Sequence, residues 1–296
     1  MLLRKKKALG IVGLCLCGLA LLLGAGSTPL GPWEQVSIYL GIDWFVLGVL
    51  TTATIFVPLE RAFPLRDGQG AFRKGWLTDA QYFFMSHALV QMLSVLIVLP
   101  ITGLGQTLAI PTIQQWVQAL PLVLQVLGCL ILADFSQYWI HRAFHRIPVL
   151  WRFHKIHHSV ETMDWIAGSR LHLVDVIITR GAVLFPLVFI GFDQIAVFGY
   201  LGFVSVHAVF IHANFRPSLS WIEKWLVTPR FHHWHHGVEK EAIDKNFAVH
   251  LPWLDRFFGT MHFPKDEWPS GYGLGNVAAP QGYFNQLVWP VLKRTE

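Results

Sequence analysis

Long apolar runs divided by short basic loops constrain the fold of this chain more than any other feature. Hydrophobic residues make up 53% of the 296 residues and charged residues only 14%, whereas a soluble domain carries about 25% charged residues. An apolar run of about 20 residues is long enough to cross a bilayer as a helix. We therefore predict an all-α fold, an integral membrane helical bundle.

The apolar runs divide the chain into four regions. Residues 1–30 combine a basic head with an apolar run, which we interpret as a membrane anchor, with a signal-like segment as the alternative. Residues 31–133 are predicted to form membrane helices, residues 134–265 a histidine-rich region, and residues 266–296 a C-terminal tail. The spans are predicted at residues 38–59, 80–104 and 117–140, followed by a helical hairpin at residues 174–211 that turns near Gly191.

The distribution of Lys and Arg predicts which side of the membrane each loop faces. The N-terminal head and residues 61–74 and 142–155 are basic, whereas residues 27–37 and 107–116 contain no Lys or Arg. This alternation predicts a multi-pass protein with a cytoplasmic, histidine-rich helical cap, in the inner membrane if the source is bacterial. The basic residues follow the loops and not one solvated face, so we expect no nucleic-acid partner. An interfacial aromatic belt is predicted from Trp139, Trp151, Trp221, Trp225, Trp234 and Trp253.

Eight of the fifteen histidines lie in three closely spaced clusters. The clusters follow the patterns H-x3-H, H-x2-H-H and again H-x2-H-H, and residues three or four apart share one face of a helix. Each cluster therefore directs its imidazoles toward one point. The eight residues are His141, His145, His154, His157, His158, His232, His235 and His236.

These patterns predict a metal site, because neutral imidazole is the commonest nitrogen ligand for zinc, iron and copper. Eight clustered ligands indicate two ions, since one ion binds only a few ligands. The chain has no H-E-x-x-H sequence, which argues against a zinc metalloprotease. An all-imidazole site on a membrane favours iron and oxygen chemistry, but the spacing alone also allows zinc or copper. The alternatives are therefore a membrane di-zinc hydrolase or a non-enzymatic metal-binding membrane protein.

Further motifs accompany the clusters over roughly residues 60–262. They include E-R-A-F-P at residues 60–64, Y-W-I-H-R-A-F-H at residues 138–145, H-K-I-H-H-S at residues 154–159, H-H-W-H-H at residues 232–236 and D-R-F-F-G-T at residues 255–260. This combination resembles the sterol desaturase and fatty acid hydroxylase superfamily of membrane di-iron oxygenases. The resemblance implies an oxidoreductase that hydroxylates or desaturates a lipid, such as a sterol or a fatty acyl lipid, with O2 and external electrons.

The resemblance also implies that the eight clustered histidines bind two iron ions and that His212 completes the ligand set. His233 is then the histidine of the last cluster that points elsewhere. His172 is a weaker candidate because the residues after it depart from the R-x-H-P-x-E pattern of relatives. His207 is another, since it lies five residues before His212 and not four. Structural or exposed positions are expected for His87, His250 and His262.

Asp134 precedes His141 by seven residues, which is two helical turns along one face. Its carboxylate is expected either to bond the outer nitrogen of a ligand and fix its tautomer, or to pair with Arg142 or Lys155. Weaker candidates for the first role are Asp175 and Glu161.

Electrons for such an oxygenase must reach the site from outside this sequence, which carries no cytochrome b5-like domain, flavin fingerprint or ferredoxin cysteine pattern. We therefore expect a separate electron donor, such as a cytochrome b5-like protein, a ferredoxin or a reductase. The basic segment at residues 142–155 is a candidate docking surface. No residue distinguishes the lipid substrates of the family, and the sequence predicts no oligomeric state.

Overall fold

The computed structural model describes residues 42–86, 100–101, 103–105, 107–217 and 219–292. The predicted anchor at residues 1–30, most of the predicted span at residues 80–104, and His87 lie outside this part of the chain. Within it, every regular element is a helix, accompanied by two isolated β-bridges. The all-α prediction is therefore confirmed for the described residues.

The helices follow one another closely along the chain. The first five are α1 (Ile42–Ala62), α2 (Trp76–Gln81), α3 (Pro111–Gln118), α4 (Leu122–Arg146) and α5 (Pro148–His158). The next five are α6 (Leu173–Ile190), α7 (Gln194–Phe210), α8 (Pro229–His235), α9 (Trp253–Phe257) and α10 (Tyr283–Val288). A π-helical turn lies at Tyr82–Ser86, and 3-10 turns lie at Ala167–Ser169 and Trp289–Val291.

Two of these helices have the length and composition needed to cross a bilayer. They are α4, with 25 residues, and α6, with 18 residues, while α7 is a shorter apolar helix. Leu122, Val123, Leu124, Leu127 and Ile131 are all exposed on the first half of α4. Apolar side chains in this position suit contact with lipid. The fold is that of a membrane helical bundle.

The predicted span at residues 117–140 begins in the wrong place. α3 ends at Gln118, and α4 begins only at Leu122. Pro121 separates the helices because proline has no backbone N–H and disfavours helical geometry in the residue before it. The Gln125 side chain stabilises this break by donating from Nε2 to the carbonyl of Leu120 at 2.9 Å. α4 then continues past residue 140 and carries His141 and His145 in its last two turns.

The predicted hairpin at residues 174–211 is confirmed as α6 and α7. Gly191 ends α6 with φ +81°, a left-handed conformation that glycine adopts without steric cost. Asp193 begins α7, because its Oδ1 accepts a hydrogen bond from the backbone N–H of Ile195 at 2.7 Å. The hairpin returns the chain toward the end of α4 that carries histidines.

Small side chains let α4 lie close to this hairpin. The buried cluster between the three helices contains Cys129, Ala133, Val183, Leu187, Ala196 and Tyr200. Gly128 of α4 faces the turn, where a Cβ atom would lie 2.9 Å from Cε1 of Phe192. Small residues of this kind are typical of close helix contacts in membranes. The contact fixes α4, and with it the position of its two histidines.

The predicted aromatic belt is wrong for one of its six members. Trp221 and Trp225 are 76% and 71% exposed, and Trp139 and Trp253 are also exposed, as interfacial residues would be. Trp234 is buried instead, and its indole N–H donates to the carbonyl of Glu267 at 3.1 Å.

Candidate metal centre

The first two histidine clusters meet at the corner between α4 and α5. α4 ends at Arg146, Ile147 is extended, and Pro148 begins α5 with its fixed φ. The chain therefore changes direction at about one residue, and α5 lies against the end of α4. Nε2 of His141 on α4 lies 3.1 Å from Nε2 of His154 on α5.

The third cluster begins in α8, which faces His212, two residues after the end of α7. Pro229 begins α8 in the same manner as Pro148 begins α5. Nε2 of His232 lies 3.0 Å from Nε2 of His212, and Nε2 of His212 lies 3.3 Å from Nε2 of His157. The hairpin and α8 thus bring the later histidines onto those of α5.

All nine histidines predicted as ligands lie in two compact groups. Within each group, one nitrogen atom of every histidine lies within 4.8 Å of those of the others. The five-histidine group contains His141, His145, His154, His158 and His235. The four-histidine group contains His157, His212, His232 and His236.

Helical spacing explains how each H-x2-H-H cluster is shared between the groups. His154 and His158 lie four residues apart and enter the same group, whereas His157 enters the other. In the cluster that begins in α8, His232 and His236 enter one group and His235 enters the other. Residues four apart share a helical face, while adjacent residues point in directions about 100° apart. Each helix therefore supplies both groups at once.

The two groups lie side by side. The rings of His158 and His236 belong to different groups and stack with centroids 4.5 Å apart. Those of His232 and His235 also stack across the groups, at 5.4 Å. This arrangement suits two ions held close together between α4, α5 and α8.

Most of the nine rings are oriented through the outer nitrogen. Nδ1–H of His154 donates to the carboxylate of Asp175 at 2.6 Å. Backbone carbonyls accept from the same atom of four others: Phe247 from His141, Arg170 from His157, Ala208 from His212, and Lys245 from His235. A ring whose Nδ1 donates carries its lone pair on Nε2, which is the nitrogen that faces the group. These hydrogen bonds therefore assign the tautomer of the rings: Nδ1 carries the proton, and Nε2 is free to bind a metal ion.

Several nitrogens in the groups have no hydrogen-bond partner although they are buried. They are Nε2 of His145, His158 and His235, and Nδ1 of His232 and His236. A buried polar atom without a partner costs about 1–3 kcal/mol, so the three Nε2 atoms, all in the five-histidine group, indicate that other atoms complete the site. Burial first, and neighbouring imidazoles second, hold the pKa of the α5 and α8 members of the groups well below the usual value. Neutral, unpartnered imidazoles are the donors that a transition-metal ion requires.

The remaining histidines of the described chain lie outside both groups. Nδ1 of His172 accepts from the N–H of Val174 at the start of α6, and its Nε2–H donates to the carbonyl of Leu287. His207 pairs with His250 at 3.0 Å. His233 contacts the hydroxyl of Tyr272 and the carbonyl of His212. The ring of His262 packs against that of Trp234.

Asp134 has a different role from either of the two that were predicted. Its carboxylate accepts from the backbone N–H groups of Val249, His250 and Leu251 at 2.7–3.1 Å. It therefore bonds neither a ligand ring nor Arg142 or Lys155. It does fix the loop whose Phe247 carbonyl orients His141. Of the two weaker candidates, Asp175 bonds a ligand ring, and no contact of this kind is present for Glu161 in the described chain.

A buried network of charges supports the site, and the sequence analysis did not find it. Arg170, whose carbonyl accepts from His157, directs its side chain to the fully buried carboxylate of Asp79. Arg73 donates to Asp79 at 2.7 Å and to Asp164 at 2.7 and 2.8 Å. The sequence signal was weak, because the four residues lie in two distant segments, residues 73–79 and 164–170.

The fold and site define a helical protein of membrane type whose buried histidine groups could hold two metal ions. Residues 126–260 match the family model described as fatty acid hydroxylase. The resemblance to the sterol desaturase and fatty acid hydroxylase superfamily is thereby confirmed over residues 126–260. No solved structure gives a significant match.

Characterised relatives are lipid hydroxylases and monooxygenases. The chain is 29% identical over 264 residues to ornithine lipid hydroxylase OlsE from Rhizobium tropici, covering 85% of this chain and 76% of that protein. It is 34% identical over 142 residues to human alkylglycerol monooxygenase, covering 48% of this chain but only 31% of that protein. It is 31% identical over 164 residues to the alkylglycerol monooxygenase of Danio rerio, covering 53% of this chain and 33% of that protein.

Proposed function

We propose that this protein is a membrane-bound di-iron oxygenase that inserts oxygen into a C–H bond of a membrane lipid. The observation that carries the proposal is the pair of adjacent imidazole groups, five and four histidines, with no thiolate or carboxylate among the clustered atoms. A ligand set made only of nitrogen donors suits iron. The relatives named as lipid hydroxylases and monooxygenases support the same reaction class.

The nine ligands in this proposal are the members of the two groups. When bound, two iron ions would supply the activation of O2. The overall reaction consumes one C–H bond, O2, two electrons and two protons, and it yields one C–OH group and water. A desaturation would consume the same O2, electrons and protons, remove two hydrogens from the lipid and yield two waters.

The residues of this chain contribute orientation and exclusion of water. The outer N–H groups of five ligand rings donate to fixed acceptors, so these rings hold their positions without the ions being present. Aromatic side chains cover the five-histidine group: the ring of Phe144 stacks on that of His154 at 5.3 Å, and that of Phe247 contacts that of His145 at 5.1 Å. Such packing keeps water from the reacting atoms and limits side reactions.

The substrate in this proposal is a lipid that enters from the bilayer. α4 carries exposed apolar residues along its length and then presents His141 and His145 at its end. A lipid lying along this helix would place one of its carbon atoms at the site while the rest of the molecule stays in the membrane. Hydroxylation is favoured over desaturation, because the relatives are named as hydroxylases and monooxygenases.

Metal and product analysis tests the function. Protein purified without added metal should contain about two iron atoms per chain, as two groups require. Lipids from cells that produce the protein should gain one oxygen atom, with the label of 18O2 in the product. Two zinc atoms per chain, with activity that persists under argon, would instead support the di-zinc hydrolase. Tightly bound metal without any lipid product would support the non-enzymatic alternative.

The cytoplasmic position of the site is part of the proposal and has its own test. Single cysteines can be introduced at the exposed residues Gln118, before α4, and Lys240, after α8, in a cysteine-free background. An impermeant thiol reagent should label them from opposite sides of the membrane, with Lys240→Cys reacting from the cytoplasm. Reaction of both from one side would contradict this topology.

A further inference from the structure

We propose that the corner between α4 and α5 is the docking surface for an acidic one-electron carrier protein, and that Trp151 connects this surface to the five-histidine group. The inference rests on the proposed function, because only an oxygenase consumes electrons at this site. It goes beyond that function by assigning the surface that receives the electron donor and the side chain that connects this surface to the ligands.

Trp151 lies between the surface and the histidines. Its ring centroid is 5.1 Å from that of His145 and 5.4 Å from that of His158. Trp151 is only half-buried, whereas the side chain of His145 beside it is 5% exposed. The indole ring therefore lies between the surface and the five-histidine group. An aromatic ring in contact with two ligand rings is a suitable path for an electron over a short distance.

The surface around Trp151 carries positive charge. Residues 135–160 contain Arg142, Arg146, Arg152 and Lys155 but no Asp or Glu. The Arg146 side chain is 58% exposed, and Arg152 is exposed. The acidic neighbour is Asp244, whose carboxylate lies 3.5 Å from Arg146 and 3.4 Å from Nδ1 of His145. The exposed charge at the corner therefore favours a partner with an acidic surface.

An apolar centre accompanies this charge. Ile147 and Val149 of the corner are exposed, and so is Ile243, which adjoins Asp244 in the loop over His145. Protein interfaces commonly combine an apolar centre with a charged rim. Arg146 also lies seven residues beyond Trp139 on α4, about 10 Å further along the helix. The corner is therefore beyond the apolar half of α4 and open to a water-soluble partner.

The four-histidine group has no comparable contact: among the described residues, no Phe, Tyr or Trp ring lies against its four buried histidines. Gly168 lies directly against the His212 ring, and the carbonyl of Arg170 accepts a hydrogen bond from His157. Electrons entering at the five-histidine group can reach both ions, because the rings of His158 and His236 stack across the groups at 4.5 Å.

The electron balance defines the class of partner. Each encounter oxidises the reduced carrier by one electron and reduces the protein by one electron. Two encounters supply the two electrons that one turnover consumes, and the two protons come from water. Because the Trp151 ring between the surface and the ligands can pass an electron but not a hydride ion, the partner that fits this path is a reduced one-electron carrier, with a haem or an iron–sulfur cluster.

Binding of defined carriers to the full-length protein in nanodiscs tests the surface. The probes are the soluble haem domain of cytochrome b5 and a [2Fe–2S] ferredoxin, both acidic, with basic cytochrome c as the charge control. At least one acidic carrier should bind, and the affinity should fall steeply with salt. The double variant Arg146→Glu, Arg152→Glu should weaken that binding by about tenfold or more. The matched control Arg216→Glu, an exposed arginine beside α1, should change it by less than about twofold.

Electron transfer tests Trp151 separately. Anaerobic mixing with the reduced carrier gives the rate of carrier oxidation, and dithionite gives the rate with a small reductant that needs no docking. Trp151→Leu should leave carrier binding unchanged but lower the ratio of the carrier-driven rate to the dithionite-driven rate, and Trp151→Phe should restore part of it. An unchanged ratio in Trp151→Leu overturns the assigned path.

The failure of this inference can be distinguished from failure of the proposed function. If neither acidic carrier binds, or if the double variant binds as well as the wild type, the docking surface is wrong. Dithionite-driven, O2-dependent oxidation of lipid would then still support the oxygenase. Carrier binding without any lipid oxidation under either reductant would contradict the proposed function instead.

Discussion

The carboxylate of Asp175, near the start of α6, accepts a hydrogen bond from Nδ1–H of His154 at 2.6 Å. This bond joins the membrane hairpin to the five-histidine group, and it is the one bond of 3.2 Å or less from a ligand ring to a carboxylate among the described residues. Asp175 is itself held by the hydroxyl of Thr179, one turn further along α6, at 3.2 Å. A carboxylate in this position fixes the tautomer of the ligand ring and increases its basicity.

Replacing Asp175 is expected to weaken metal binding. The loss should be larger when the hydrogen-bond acceptor is removed than when only the negative charge is removed. Asp175→Leu removes the acceptor and should lower metal affinity or activity by about 10–100-fold. Asp175→Asn retains a carbonyl oxygen as acceptor but loses the charge, so its effect should be smaller. Metal content per chain and the rate of lipid oxidation measure both. The exposed residue Asp67 provides the control, because Asp67→Leu should alter neither, and equal losses in the Leu and Asn variants would contradict a role for the retained hydrogen bond.

Asp79 is expected to stabilise the four-histidine group without touching it. The carboxylate is fully buried and pairs with Arg73 and Arg170, and the carbonyl of Arg170 orients His157. Asp79→Asn leaves two buried arginines with too little negative charge, which should lower the free energy of unfolding by about 3–5 kcal/mol. Thermal unfolding in detergent measures the loss, and metal content shows whether His157 is released. The exposed control variant Asp266→Asn should unfold at the same temperature as the wild type. If Asp79→Asn did so as well, the buried charge network would not contribute to the stability of the fold.

The sequence predicted which histidines form the site better than it predicted the groups that orient their rings. Helical spacing alone brought His141 to the face of His145 and His154 to the face of His158. Four of the five outer-nitrogen contacts of 3.2 Å or less use backbone carbonyls, such as those of Phe247 and Lys245. A carbonyl is present at every residue, so no side-chain pattern marks it. Loop geometry decides which carbonyl faces a ring, and that geometry depends on distant parts of the chain.

The errors have specific physical causes. Asp134 lies on the predicted face of α4. Its carboxylate is occupied by three backbone N–H donors from the loop at residues 249–251, so it forms no bond to a ligand ring or to a cation. The start of α4 was misplaced although Pro121 marked it. Trp234 lies among histidines that turn inward, and its position on the short helix α8 buries it with them.

His157 and His233 are expected to respond differently to the same substitution. His157→Ala removes a member of the four-histidine group and should reduce the metal content toward one ion per chain and abolish activity. His233→Ala removes a fully buried ring that contacts Tyr272 and the carbonyl of His212, outside both groups. Its main effect should be a loss of stability of about 1–3 kcal/mol from the unpaired partners.

The two readouts separate a ligand from a structural residue. Iron per chain, measured by mass spectrometry, should fall in His157→Ala and stay near the wild-type value in His233→Ala. The melting temperature of the metal-free protein should fall more in His233→Ala. Equal loss of iron in both variants would remove the distinction on which the nine-member assignment rests.

Gly168 is expected to tolerate no side chain, because it faces the ring of His212. A Cβ atom there would lie 2.6 Å from Nδ1 of His212 and 2.9 Å from Cγ. The ring has little freedom to retreat, since Nδ1–H donates to Ala208 at 2.7 Å and Nε2 lies 3.0 Å from His232. Gly168→Ala should therefore tilt the ring, weaken metal binding in the four-histidine group by about tenfold or more, and destabilise the protein by about 1–3 kcal/mol. Metal titration of the apoprotein measures the first effect. Gly181→Ala on α6, where a Cβ would meet no atom within 4 Å, should bind both ions as the wild type does, and a Gly168→Ala protein that matched it would show that the ring of His212 is not held in this position.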